Sequence, residues 1–306
     1  MPKHHHQTSA ASGPHLPVLL TAVLSVLDPQ KGESYLDLTA GYGGHAQALL
    51  ERTSKPEAAV LVDRDDQAVA HLRKQFKSAP PEIVHSDFLG ACRTLSEQGR
   101  KFDLILADLG ASSPHFDQAS RGFGIMQSGP LDMRMDQSQA LTAEAIVNKW
   151  KEADIAKVLR DFGEEPRAHS IARRIVAARP LRTTDELAAV VGRGWRRPSR
   201  LHPATRTFQA LRIAVNSELS QLEQSLPLIE RLLRPGGRMA VISFHSLEDR
   251  IVKRFLAEQA GGNYDSPLKL LTKKPITAGR DEIVSNPRAR SAKLRAAAKI
   301  KTNRKE

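Results

Sequence analysis

From Ser34 onward, short β-rich runs alternate with glycine turns and helical stretches, and no other property of this chain restricts its fold as much. Residues 34–39 (SYLDLT) lead into Gly41, Gly43 and Gly44 and then into a helical run at 46–52. Residues 58–63 (AAVLVD) form an unbroken apolar run ending in an acid, the pattern of a strand covered on both faces in a parallel sheet. A helix over 66–77 carries Ala68, Leu72 and Phe76 at helical spacing. A short strand near 83–85, a helix near 90–98 and a strong strand at 102–109 (FDLILADL) complete four βα units. This order predicts a doubly wound α/β fold with right-handed connections.

The alternation stops for about a hundred residues. A Ser-, Gly- and Pro-rich loop over 112–130 precedes helical segments at 142–150, 152–161, 166–178 and 184–191, the pattern of a helical domain inserted into an α/β chain. The sheet is expected to resume after one long helix over 205–233, striped by Phe208, Leu211, Val215, Leu219 and Leu222. Arg234-Pro-Gly-Gly-Arg238 is a turn signal, 239–244 the next buried strand, and Ser246-Leu-Glu-Asp249 fits a capping box for a helix over 249–259. Residues 291–300 suit either a basic tail or a last strand. The expected division is a polar tail at 1–14, a discontinuous sheet domain at 15–112 and 217–306, and an all-helical insert at 113–216.

Composition narrows the class. Among 306 residues, no apolar run approaches the ~18 residues of a membrane span. The polar first fourteen residues do not read as a secretory signal, so a cytoplasmic protein is expected. Lysine and arginine outnumber acids by twelve. The excess sits in two places: eight basic residues against one acid over 285–306, and six against none over 192–212. Without them the chain is nearly neutral, and clustered cations of this kind suit a polyanion such as nucleic acid.

Gly41-Tyr-Gly-Gly-His45-Ala46 lies between the first strand and its helix, and Asp63 ends the second strand twenty-two positions after Gly41. An open α/β sheet holds a nucleotide there, with glycines admitting the ligand to the backbone and the acid taking ribose hydroxyls. The letters also satisfy Gly-x-Gly-x-x-Ala, which leaves an NAD(P) oxidoreductase open at this point. Asp108-Leu-Gly-Ala-Ser-Ser-Pro114 follows the fourth strand, where methyltransferases that modify exocyclic amines carry an acid or amide with prolines and an aromatic. Here an acid, small residues and a proline occupy that place without the aromatic, and the acid could accept a hydrogen bond from an amine. Cys92, the only cysteine, lacks the context of a nucleophile for pyrimidine carbon methylation and reads as a small buried hydrophobe. His4 to His6 read as a terminal tract without partners, so no metal site is expected. Ser243, His245 and Asp249 are too crowded for triad geometry, and His245 is expected to face the ligand crevice or pack locally.

Taken together, HLPVLLTAV (15–23), Gly43-Gly-His45, Asp63-Arg-Asp65, 108–114, Arg121-Gly-Phe123, GPLDMRMD (129–136), HPATRTFQ (202–209), SFHSLEDRIVK (243–253) and Asn286-Pro-Arg-Ala-Arg290 resemble the ribosomal RNA small-subunit methyltransferase H family, also called MraW. The resemblance spans nearly the whole chain. It implies a Rossmann-like class I methyltransferase sheet with an inserted all-helical domain. It also implies transfer of methyl from S-adenosyl-L-methionine to N4 of a cytosine in the decoding region of 16S rRNA in the small ribosomal subunit. The cofactor contacts it implies fall on Gly43, Gly44, His45, Asp63, Phe88, Asp108 and His115, and Asp108 is the candidate catalytic residue. Tyr42 stands where a basic residue is common in the family, and His115 where glutamine is common. The alternatives to a methyltransferase are an NAD(P) oxidoreductase and an RNA-binding scaffold without catalysis.

Overall fold

A computed structural model describes residues 17–78, 80–193, 202–261 and 266–300. The first fourteen residues, His15, Leu16 and the arginines at 196, 197 and 200 lie outside the described residues.

Helix α1 (Leu20–Leu27) precedes strand β1 (Tyr35–Asp37), and α2 (Gly44–Thr53) follows the glycine turn. Then come β2 (Ala59–Asp63), α3 (Asp66–Gln75), β3 (Glu82–His85), α4 (Phe88–Glu97) and β4 (Phe102–Asp108). The short α5 (Ser113–Asp117) opens a helical stretch of α6 (Ala143–Lys149), α7 (Glu152–Gly163), α8 (Ala168–Ala177), α9 (Thr184–Gly192) and α10 (Thr205–Asn216). Helix α11 (Glu218–Leu232) returns the chain to β5 (Leu233–Ser243), α12 (Ser246–Gln259), β6 (Leu268–Leu270), α13 (Arg280–Ser285) and β7 (Lys293–Lys299).

The seven strands form one sheet in the order β3-β2-β1-β4-β5-β7-β6. The first five in that order run parallel, and β7 is antiparallel to both of its neighbours. Strand side chains alternate between faces. Leu36, Val60, Ile105 and Val241 join the core under α4, α11 and α12, while Tyr35, Leu61, Leu104 and Ile242 join the opposite core under α1, α2 and α3. Both faces are covered, which is why these strands read as continuous apolar runs. Helices α6 to α10 have a core of their own, built from residues such as Ile146, Leu159, Ile171, Leu187 and Leu211.

Two local expectations need correction. The single helix over 205–233 is two helices, broken where Ser217 adopts a left-handed φ of 51°. Phe208, Leu211 and Val215 point into the helical core whereas Leu222, Leu226 and Ile229 point into the sheet core, so the chain must change direction between them. The cap of α12 is His245 rather than Ser246: its side chain accepts from the Glu248 backbone amide, Glu248 reaches back to the His245 amide, and the helix starts three residues earlier than expected. Of the two readings left open for residues 291–300, the structure has the strand: β7 lies between β5 and β6.

Candidate active site at the carboxyl edge of the sheet

A parallel sheet leaves a crevice where neighbouring strands send their connections to opposite faces. In this chain the crevice is a cleft of about 890 Å³ at the carboxyl ends of β1, β2 and β4, closed on its far side by α10, α11 and the start of α12. Asp63 lines it, with both carboxylate oxygens held: Gly41 N donates to Oδ2 at 2.7 Å and Asp65 N to Oδ1 at 2.8 Å. Burial raises the Asp63 pKa above the ordinary carboxylate value, against the pull of those two amides. Phe88, at the first turn of α4, lines the cleft as well, set by Asp87, whose side chain accepts from Gly90 N at 2.8 Å. Gly44 also lines it, and a side chain there would run into Pro17. Gly43 does not line the cleft; it takes the left-handed conformation, φ 80°, that begins α2.

Asp108 ends β4, with its backbone amide donating to Thr39 Oγ1 at 2.6 Å. Its Oδ2 lies 3.6 Å from Nε2 of the buried His45, while Oδ1 has no hydrogen-bond partner among the described residues. Both ring nitrogens of His45 are likewise buried without a hydrogen-bond partner there. Three orphaned polar atoms around one point of a cleft are costly unless a ligand completes them. Beneath, the Tyr35 hydroxyl donates to Asp37 Oδ2 at 2.6 Å, and burial lifts Asp37 to a pKa of about 6.

His115 reaches the cleft but spends its nitrogens on the protein. Nε2 stands 2.9 Å from Asp65 Oδ2, and Ser112 N donates to Nδ1 at 3.1 Å. Burial works to raise the Asp65 pKa, yet His115 and Arg121 outweigh it and hold the carboxylate at about 2. Arg121 in turn donates to the Met135 carbonyl at 2.8 Å, and Asn216 pins the same segment, accepting from Met135 N at 2.9 Å and donating to the Met133 carbonyl at 2.8 Å. The motif blocks at 63–65, 121–123 and 129–136 thus meet as one buried polar joint.

On the far wall the sequence pointed only to His245, which does line the cleft; Arg212, Glu218 and Glu248 carried no signal of a site. Arg212 on α10 donates from Nε and Nη2 to Glu218 at 2.8 and 2.7 Å, and His245 Nε2 lies 3.2 Å from Glu248 Oε1. Glu218, His245 and Glu248 could each offer a ligand atom to a cation, these atoms lying within 4.8 Å of one another. Arg212 occupies both Glu218 oxygens, however, and Glu248 Oε2 accepts from the Phe244 amide at 2.8 Å, so the donor set is committed to the protein. Asn286 and Arg288 stand at the cleft too, Arg288 paired with Asp117 at 2.7 Å.

The remaining candidates fall away from the cleft. Cys92 is fully buried and its thiol is pushed up to about 12, chiefly by desolvation. Ser243 donates to the Lys293 carbonyl and Asp249 is paired with Arg295 at 2.7 Å, so neither serves His245. Of the C-terminal cations, Arg295 is buried on Asp249, and Lys299 pairs with Glu230 at 2.8 Å. These charges balance internal acids, which reduces the surface patch that charge counting suggested.

The sequence profile of the MraW methylase family matches residues 12–300. The Ribosomal RNA small subunit methyltransferase H of a Synechocystis species is 47% identical over 300 residues, covering 96% of each chain. The protein of the same name from a Cyanothece species is 48% identical over 290 residues, covering 94% of this chain and 95% of that one. That from Acidobacterium capsulatum is 46% identical over 295 residues, with 93% and 98% covered.

Proposed function

The chain belongs to the MraW methylase family, and on that premise we propose that it methylates N4 of a cytosine in the decoding region of 16S rRNA, within the small ribosomal subunit. It is an S-adenosylmethionine-dependent methyltransferase, which sets aside the oxidoreductase and the non-catalytic scaffold. S-adenosylmethionine supplies a methyl group bonded to a positively charged sulfur. Asp63, at the end of β2, is suited to the ribose hydroxyls and Phe88 to the adenine face, with Gly43 and Gly44 keeping the turn free of side chains. His45 has two buried nitrogens to offer the cofactor's polar end, and His115 acts at one remove by fixing Asp65.

The observation that carries the chemistry is Asp108, whose Oδ1, without a hydrogen-bond partner among the described residues, sits at the end of the central strand. An exocyclic cytosine amine is a poor nucleophile because its lone pair is shared with the ring. A fixed carboxylate that accepts one N–H draws the lone pair out of conjugation, and it gains most where positive charge grows on nitrogen in the transition state. No strong base is needed beforehand: the N–C bond forms as the C–S bond breaks and S-adenosylhomocysteine leaves, and the cationic nitrogen then gives up its proton to the carboxylate that already accepts that N–H or through it to water. The two cores suggest the division of labour: the sheet domain, 15–112 and 217–306, holds the cofactor, and the helical insert, 113–216, helps hold RNA. Work on ribosomal RNA places the protein in the cytoplasm in this reading.

Radiolabelled methyl transfer from S-adenosylmethionine to small ribosomal subunits lacking the modification, followed by nucleoside digestion, tests the reading. Label in N4-methylated cytidine is expected. Label on another base, or none, would reject it.

A further inference from the structure

A straight helix would put residues six apart about 120° from each other around the axis and more than one and a half turns apart along it, at ~100° per residue. Arg212 and Glu218 nevertheless pair through two hydrogen bonds of 2.8 and 2.7 Å, because the left-handed Ser217 turns α11 back across the end of α10. A non-glycine residue in that conformation is held there by the structure around it. The pair is largely buried, with side-chain exposures of 13% and 9%, and both residues line the cleft. Glu218 takes Nε and Nη2, which leaves Nη1 of the guanidinium with no hydrogen bond among the described residues. A fixed, charge-balanced guanidinium with one free donor nitrogen is a recognition element.

Its surroundings suit a flat heteroaromatic ring. Phe208 precedes Arg212 by one helical turn and lines the same cleft, and Phe244 lines it from the turn before α12. Phe244 lies close to Gly110, where a Cβ would come within 3.5 Å of its ring, so this aromatic stands beside the loop that carries Asp108. We propose that this wall is the seat of the target cytosine, flipped out of its RNA, with Arg212 Nη1 donating to the O2–N3 edge and Phe208 and Phe244 flanking the ring. The proposal rests on the N4-methylation reading above. An enzyme that modifies a base must take it out of its stack, and reads it through its pairing edge and through aromatic contact.

The chemistry selects cytosine twice over. At N3 cytosine presents a lone pair that accepts from Arg212, whereas uracil presents an N–H that opposes a donor. At position 4 cytosine presents an amine that donates to Asp108, whereas uracil presents a carbonyl that opposes a carboxylate. Glu218 balances the guanidinium charge, so the donor orients the ring without a net cation draining electron density from N4.

Arg212→Lys keeps a cation for Glu218 and removes the forked second nitrogen. With small subunits lacking the modification, kcat/KM for the subunit should fall roughly tenfold to a hundredfold, the loss expected for one charge-assisted hydrogen bond. The affinity for S-adenosylmethionine should stay at the wild-type value, while the thermal midpoint falls because lysine keeps only one of the two hydrogen bonds to Glu218. A folded Arg212→Lys protein with unchanged kcat/KM overturns the base seat while the wild-type activity leaves the N4 reading standing. Wild-type protein that yields no N4-methylcytidine overturns both. If Arg212→Lys does not fold, calorimetry of the wild-type protein saturated with S-adenosylhomocysteine decides: cytidine 5′-monophosphate should bind at least ~tenfold more tightly than uridine 5′-monophosphate. Equal binding of the two nucleotides, or binding of neither, overturns the proposal.

Discussion

At the scale of single residues, three carboxylates at one edge of the sheet do different work because their partners differ. Asp63 is held by two backbone amides, and burial still raises its pKa. In the proposed reading its remaining lone pairs take the ribose hydroxyls, and Asp63→Ala should weaken S-adenosylmethionine binding by about tenfold or more in calorimetry. An unchanged constant in a folded variant would remove Asp63 from the cofactor site. Asp108 has one oxygen without a hydrogen-bond partner among the described residues. Asp108→Asn keeps its shape but loses the charge, so single-turnover methylation at saturating cofactor and RNA should slow greatly while both affinities stay near normal. A weakened cofactor constant with a normal saturated rate would assign Asp108 to binding alone. Asp65 is structural: its pKa is depressed from 3.8 to about 2 against the opposing effect of burial, by His115 and Arg121. A depressed pKa contributes stability above the unfolded value that is lost as pH falls through the folded one, here roughly 2 kcal/mol. Urea titrations should show Asp65→Asn clearly less stable than wild type at about pH 6 and the gap narrowing by about pH 3. A gap independent of pH would mean that the ion pairs contribute nothing.

At the scale of elements, the break between α10 and α11 joins the two cores and creates the Arg212–Glu218 pair. Ser217 makes no side-chain capping bond, so glycine there should relieve its left-handed strain and raise stability by about 0.5–1 kcal/mol. Thermal unfolding reads this, and a lowered midpoint would show that the serine side chain matters after all. The break was hidden in the sequence because the apolar spacing runs through it: Val215, Leu219 and Leu222 continue one helical stripe, and serine is a weak punctuator. Positions six apart are not helix neighbours, so the Arg212–Glu218 pair could not be inferred either. The cap of α12 was misplaced for a related reason, since Ser246 and Asp249 fit the same spacing that His245 and Glu248 use. By contrast the glycine turn, Asp63 and Asp108 were legible, because an open parallel sheet carries ligands at the carboxyl ends of its strands whatever its helices do.

At the scale of the whole molecule, a sheet with two covered faces and a helical core of its own meet around one cleft, whose lining comes from both. Charge counting located an excess of cations but not their partners. Arg295 answers Asp249 from 46 positions away, and only folding brings the two together. The arginines at 196, 197 and 200 lie outside the described residues and remain the sequence's candidates for phosphate contact. Replacing all three with alanine should flatten the dependence of RNA affinity on salt, by roughly 0.7–0.9 in slope per lost phosphate contact, and leave cofactor affinity alone. An unmoved slope would mean that these charges are merely solvated. The central claim, cytosine N4-methylation of small-subunit RNA by this chain, meets its most direct test in mass spectrometry of 16S rRNA from cells with and without the protein. One decoding-region cytidine should lose its N4-methyl group when the protein is absent and regain it when the wild-type chain, but not Asp108→Asn, is restored. An unchanged N4-methylcytidine content in its absence would contradict the account.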